Sequence, residues 1–159
     1  MAQKVFITGK PGCGKTTLIK ELVKERDVAG FITEEIRDKG RKGFKIIDIK
    51  SREEGVLAST EQKTGPRVSK YRVNLADLER IGIKALERKA DLIVIDEIGK
   101  MELYSKAIEK KIKEILQSRK KVLATLHRNY IDEYRKYGEV IWLTRENWQE
   151  VFERLKGMI

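Results

Sequence analysis

The chain has 159 residues, 40% hydrophobic and 38% charged, with 35 Lys plus Arg against 25 acidic residues and a formal net charge of +10. That length fits one ordinary domain able to bury a central sheet without disulfides, and no apolar run approaches the roughly eighteen residues of a membrane span. The single cysteine, Cys13, excludes an internal disulfide framework and suits a reducing compartment, while the positive charge would draw polyanions, nucleotides and nucleic acid alike.

Met1-Ala2-Gln3-Lys4-Val5-Phe6 enters a strand pattern at once and lacks the apolar stretch and small-residue cleavage site of a secretory signal. A cytoplasmic location, with no membrane partner, is the expectation. Val5, Phe6, Ile7 and Thr8 are a β-prone run, followed by a glycine-rich turn and by Leu18, Ile19, Leu22 and Val23 at helical spacing. This predicts strand, loop, helix. Residues 31–36 and 44–49 predict two strands around Asp38-Lys39-Gly40-Arg41-Lys42-Gly43, whose glycines and polar side chains suit a hairpin connection. A β-ribbon is expected there. Residues 51–70 carry Gly55, Gly65, Pro66 and many charges, and read as a loop with at most a short strand near Val56 and Leu57.

Leu75, Leu78, Ile81, Ala85 and Leu86 recur on one helical face behind Asn74, a suitable N-cap, and this helix should end near Lys89. Leu92-Ile93-Val94-Ile95 is a continuous apolar run opening onto two acids, as expected of a parallel strand buried on both faces. Ile108, Ile112, Ile115 and Leu116 predict the next helix, residues 122–126 another buried strand, and residues 140–143 the last one. Trp148, Val151, Phe152 and Leu155 predict a closing helix. Strands alternating with helices imply right-handed crossovers and a parallel sheet covered on both sides. No internal repeat, low-complexity tract or linker interrupts residues 1–159, so one domain is expected.

Gly9-Lys10-Pro11-Gly12-Cys13-Gly14-Lys15-Thr16 matches the phosphate-loop pattern and lies between the first strand and the first helix. Its glycines let successive backbone N–H groups turn toward phosphate oxygens, and the following helix aims its positive end at the same place. Lys15 should reach the β- and γ-phosphates, and Thr16 offers magnesium a hydroxyl ligand. Thr17 follows on the same turn and joins the nucleotide-binding set. Cys13 occupies a variable position, so a small tolerated side chain outweighs a nucleophile or redox switch.

Asp96 and Glu97 stand at the carboxyl end of the buried run, where open α/β sheets place ligands. Asp96 is expected to hold magnesium, and Glu97 to orient and deprotonate the attacking water. Ile98-Gly99-Lys100-Met101-Glu102-Leu103 continues from the acids, with Lys100 and Glu102 as supporting candidates. A cation beside the transferred phosphoryl group is offered by Arg37, Arg41, Arg67 or Arg128, although a solvated surface role fits each one singly. His127, the sole histidine, reaches the same sheet rim as Asp96, yet with no second histidine or cysteine nearby a structural role outweighs metal binding or phosphate sensing. For Trp142 and Trp148, core packing is expected rather than base stacking.

With these motifs the sequence resembles the small P-loop nucleoside-triphosphatases first described in heat-loving microbes, whose animal relative is called cancer-related nucleoside-triphosphatase. The likeness spans nearly the whole chain and includes residues 30–37, Gly43-Phe44, and Ile95-Asp96-Glu97-Ile98-Gly99-Lys100-Met101-Glu102-Leu103. It implies an α/β P-loop NTPase fold, with a mainly parallel central sheet, helices on both faces and an inserted β-ribbon. It also implies magnesium-dependent hydrolysis of several nucleoside triphosphates with little base preference. Nucleotide contacts would come from residues 9–16 and from Ile95, Asp96, Glu97, Ile98, Gly99, Lys100, Met101 and Glu102. The rivals are a nucleoside or nucleotide kinase, for which no arginine-rich lid is evident, and a nucleic-acid-binding switch, for which aromatic interleaving is sparse. A nucleic-acid partner is not favoured, and a monomer is expected.

Overall fold

In the computed structural model, which describes residues 3–38 and 40–159, the chain winds around one mixed sheet. Its parallel part contains β1 (Lys4–Thr8), β2 (Val28–Asp38), β7 (Leu92–Ile98), β8 (Lys121–Leu126) and β9 (Glu139–Trp142). Four antiparallel strands extend it: β3 (Arg41–Asp48), β4 (Glu54–Ser59), β5 (Arg67–Val68) and β6 (Tyr71–Val73). Among the described residues the order is β5-β6-β4-β3-β2-β7-β8-β1-β9.

Period-two alternation sends neighbouring side chains of each central strand into two separate cores. Phe6, Ile93, Ile95, Val122 and Ala124 enter one, roofed by α2 (Leu75–Glu87) and α4 (Lys106–Leu116). Val5, Ile7, Leu92, Val94 and Leu123 enter the other, roofed by α1 (Lys15–Val23) and α6 (Trp148–Met158). Both faces of the parallel block are thus covered, which is why its strands read as unbroken apolar runs rather than alternating ones. Truncating a fully buried anchor such as Phe6 or Phe31 to alanine would cost about 3–5 kcal/mol.

Polar caps fix the helices on this frame. Asn74 Oδ1 accepts from Asp77 N–H at 3.0 Å, and Asp77 Oδ2 accepts from Val56 N–H at 2.8 Å, which ties the start of α2 to β4. Ser105 Oγ accepts from Ile108 N–H at 3.1 Å and donates to Glu79 Oε2 at 2.6 Å, joining α4 to α2. Asp48, 1% exposed, accepts from Arg88 Nε at 2.8 Å and from the backbone of Lys50 and Ser51.

Two expectations change. Residues 51–70 are richer in structure than a loop, because β4 and β5 lie within them and β6 follows at once. β4, Glu-Gly-Val-Leu-Ala-Ser, does not alternate between buried and exposed positions, and antiparallel backbone pairing does not require an apolar run. The ribbon is also longer than expected. β2 and β3 pair as far as Asp38 opposite Arg41, so residues 38 and 41–43 belong to strands rather than to the connection, while Lys39 lies outside the described residues. The ribbon therefore widens the central sheet instead of standing apart from it. The connection from β8 to β9 holds a 3-10 turn at Arg128–Tyr130, α5 (Ile131–Tyr134) and a second 3-10 turn at Arg135–Tyr137, and its Tyr134 packs into the core that α2 and α4 roof. No helix among the described residues is long and apolar enough to cross a membrane.

Candidate functional site

The site lies at the carboxyl ends of the parallel strands, where β1 turns into α1. Gly9, Gly12 and Gly14 adopt φ values of 151°, 78° and 95°, which residues with a Cβ adopt only under strain. Gly14 is the N-cap of α1 and offers no side chain to its first N–H groups, so these donors face the rim together with the positive end of the helix. Lys15 Nζ arcs back over the loop, donating to Gly9 O at 3.2 Å and to Lys10 O at 3.5 Å, with Cys13 Sγ at 4.0 Å. Cys13 is 8% exposed and packs inward, as expected of a tolerated small residue.

Opposite this loop, β7 carries one extra residue relative to β8: Ile95 pairs with Ala124 and Ile98 with Leu126. Such a bulge re-aims side chains at a strand end, and it falls on Asp96 and Glu97. Both acids lie inside the strand rather than beyond it. Asp96 is 3% exposed, and its two carboxylate oxygens accept from Thr16 Oγ1 at 3.2 Å and from Thr125 Oγ1 at 2.7 Å. Burial pushes the Asp96 carboxyl up to about 6, the neighbouring Glu97 charge adds to that, and the two threonine hydroxyls oppose it. Burial also raises Glu97, against the pull of the Lys15 ammonium. Glu102, 4% exposed, is raised well above the usual carboxylate range by burial, then by Glu97 and Asp96. Three acids in one low-dielectric corner repel one another, and a positive charge placed there would relieve all three.

The structure sets Gly9, Lys10, Pro11, Gly12, Cys13 and Gly14 in the turn between β1 and α1 and Lys15, Thr16 and Thr17 on the first turn of α1, where Thr16 meets Asp96 at 3.2 Å. Other sequence candidates are placed differently. The side chains of Ile95 and Ile98 are fully buried in the core and that of Met101 packs against it, while Lys100 is exposed. Glu102 sits behind Gly99: its Oε1 lies 3.1 Å from the point a Cβ on that glycine would occupy, with Glu97 Cδ at 3.5 Å from the same point. His127 does stand on this rim. Its backbone N–H donates to Ile98 O at 3.0 Å, its Nδ1 accepts from Asn129 N–H at 3.1 Å, and burial followed by the charges of Arg128 and Lys15 lowers its pKa. Of the arginines proposed from sequence, Arg37 is exposed and paired with Glu35, Arg67 lies on the outermost strand, and Arg128 follows His127. The Arg41 side chain lies outside the described part of the molecule.

A groove of ≈ 530 Å³ runs along the loop, lined by residues 12–17, Arg145 and Trp148. Sequence reasoning missed Arg145, whose Nη2 donates to Gly12 O at 2.8 Å. Its position just past the last strand was the one available signal, since its charge alone marks nothing in so basic a chain. The tryptophans also correct an expectation. Trp142 is 45% exposed on β9, the terminal strand of the sheet among the described residues, and lies outside the core while its neighbour Ile141 is buried. Trp148 divides its indole between packing and the site. Its ring stacks on Phe152 at 5.5 Å, and its Nε1–H donates to Gly14 O at 3.1 Å.

Comparison with known proteins places this geometry among relatives. The family model described as NTPase matches residues 4–156. The chain is 43% identical to a protein of Methanocaldococcus jannaschii named nucleoside-triphosphatase THEP1, over 98% of this chain and 96% of that one. It is 44% identical to the Thermococcus kodakarensis protein of the same name, over 99% of both. The crystal structure of THEP1 from the hyperthermophile Aquifex aeolicus superposes with a TM-score of 0.85 at 34% identity, covering 96% of each chain. A match across nearly the whole length, in sequence and in fold, means that this chain belongs to the NTPase family.

Proposed function

We propose that this protein is a nucleoside-triphosphate hydrolase, releasing inorganic phosphate and a nucleoside diphosphate with magnesium as cofactor and little preference for the base. The observation that carries the reading is the meeting of the Gly9–Thr16 turn with Asp96, joined by the Thr16 hydroxyl at 3.2 Å. Relatives named nucleoside-triphosphatase at 43–44% identity support the same chemistry.

The donor set fits magnesium: a hydroxyl and a carboxylate are hard oxygen ligands, and two protein oxygens plus phosphate oxygens and water suit an ion that keeps part of its hydration shell. Thr16 and Asp96 would hold it, and when bound it supplies charge neutralisation at the phosphate oxygens.

In this reading the N–H groups at the start of α1 and the Lys15 ammonium bind the β- and γ-phosphates and stabilise charge on the equatorial oxygens, while the Cys13 N–H holds the loop's shape by donating to Lys10 O at 3.3 Å. Glu97 orients a water in line with the bond to be broken. The water oxygen attacks the γ-phosphorus, its proton passes to a Glu97 carboxylate oxygen, and the electron pair of the β–γ bridging bond leaves on the diphosphate. Burial suits Glu97 to this, since it raises proton affinity toward the working pH. Residues 1–159 act as one domain here, because loop and acids come from opposite halves of the sequence yet share one sheet.

The test is phosphate release from ATP, GTP, CTP and UTP, with and without magnesium and with no acceptor added. Release from all four that requires the ion supports the reading. Turnover that requires an added nucleoside or nucleotide would replace it with a kinase.

A further inference from the structure

The sheet order sets β8 between β7, which carries Asp96 and Glu97, and β1, which leads into the phosphate loop. Thr125 pairs with Ile7 on one side, and Leu126 with Ile98 on the other. The residue that follows β8 therefore emerges between the two halves of the site, and that residue is His127. Its backbone N–H continues the ladder to Ile98 O at 3.0 Å, one residue past the acid pair.

The ring is fixed as well. Its Nδ1 caps the 3-10 turn by accepting from Asn129 N–H at 3.1 Å, and the Tyr130 ring packs against it in an edge-to-face arrangement, centroids 6.1 Å apart. A ring nitrogen that accepts carries no proton, so the neutral imidazole has its proton on Nε2, and Nε2–H is a donor. Charging the ring would set an N–H on Nδ1 against the Asn129 N–H. Burial, then the charges of Arg128 and Lys15, favours the neutral form too.

Capping the turn accounts for Nδ1 alone. Among the described residues nothing accepts from Nε2. The ring is half-buried on the rim, and the Lys15 ammonium is near enough to act on it electrostatically. Lys15 and Glu97 both serve the far end of the phosphate chain in the hydrolase reading, and His127 stands between the strand of one and the loop of the other. A neutral N–H held in place before the ligand arrives adds a hydrogen bond to a charged oxygen with little reorganisation on binding.

We propose that His127 recognises the terminal phosphoryl group, its Nε2–H donating to a γ-phosphate oxygen beside Lys15, so that the site holds a triphosphate in preference to a diphosphate. This deepens the hydrolase reading and rests on it: the diphosphate left after cleavage has no acceptor for that donor, and the contact is lost with the released phosphate.

The experiment is calorimetric titration of the full chain, with magnesium, by the β,γ-imido analogue of ATP and by ADP, for the parent, His127→Asn and His127→Gln. Asparagine can keep the cap by offering a carbonyl oxygen to Asn129 N–H, but it has no group where Nε2 stands. Glutamine carries an amide N–H to about the place of Nε2 and gives up the cap. The expected result for His127→Asn is affinity for the analogue lowered on the order of ten-fold, with ADP unchanged and the melting temperature near the parent's. His127→Gln should bind the analogue more nearly like the parent, whatever it loses in melting temperature. An equal loss on the analogue and ADP would make His127 a brace of the loop and overturn the proposal. The reverse ranking, with asparagine at parental affinity and glutamine weakened, would confine His127 to capping its turn. If the parent binds both ligands and hydrolyses ATP while both variants keep the analogue's affinity, this inference alone falls. If the parent binds neither ligand, the hydrolase reading falls with it.

Discussion

The Thr16 hydroxyl, on the first turn of α1, donates to the Asp96 carboxylate at the end of β7 at 3.2 Å, although 80 residues separate them. Asp96 is almost wholly buried, and two threonine hydroxyls are its hydrogen-bond donors there.

A desolvated carboxylate kept for function should weaken the free protein. Asp96→Asn is therefore expected to raise the melting temperature of the nucleotide-free, metal-free protein, by roughly 2–4 °C for a gain of about 1 kcal/mol in a chain of this size. The same variant should lose magnesium-dependent phosphate release. Thermal denaturation followed by circular dichroism, beside a phosphate-release assay, checks both halves. A variant that is less stable and fully active would remove Asp96 from the site.

Glu97→Gln keeps size and hydrogen-bonding reach but cannot take a proton. Phosphate release should fall by roughly 10²–10⁴-fold, with triphosphate affinity near that of the parent or higher. Single-turnover rates alongside equilibrium binding separate the two effects, and unaltered hydrolysis would dismiss Glu97 as the base.

Lys15→Ala removes the ammonium that now spans Gly9 O and Lys10 O. Hydrogen bonds to charged groups contribute about 1.5–3 kcal/mol, so triphosphate affinity should drop roughly ten- to a hundred-fold. Direct titration with a slowly hydrolysed analogue is the measurement. A folded variant binding as tightly as the parent would refute the cradle.

The Asp48–Arg88 pair governs acid tolerance far from the site. Burial alone would raise Asp48, but the Arg88 guanidinium and the Ser51 backbone N–H hold its carboxyl below the ordinary value. A depressed carboxyl contributes stability that is present above its unfolded pKa, about 3.9, and lost as pH falls through the folded one. Arg88→Met should therefore cost about 1–3 kcal/mol near neutrality. The difference from the parent should stay flat down to about pH 5 and shrink below about pH 4. Urea denaturation across that range reads it directly, and a gap that widens in acid would contradict the assignment.

How much of this was legible in the residues follows from the range of the interactions involved. The strand, turn and helix around Gly9 to Thr16 depend on local dihedral freedom and local periodicity, and both are written in consecutive residues. The apolar run before Asp96 gave a strand buried on both faces for the same reason. Residues 51–70 read as a loop because β4 is held by β3 and β6, β5 is only two residues long, and a half-buried strand without strict alternation has no distinctive local pattern.

The sequence by itself determined the fold class, the phosphate-loop motif, the acid pair and the family, since each rests on neighbours along the chain. Tertiary structure alone decided which long-range partners meet: Thr16 with Asp96, Arg145 with Gly12, Trp148 with Gly14, and Trp142 left half in solvent. Those outcomes depend on strand order and on which strand ends at an edge. Both are set by how the whole sheet packs between its two cores, a quantity that no window of adjacent residues contains.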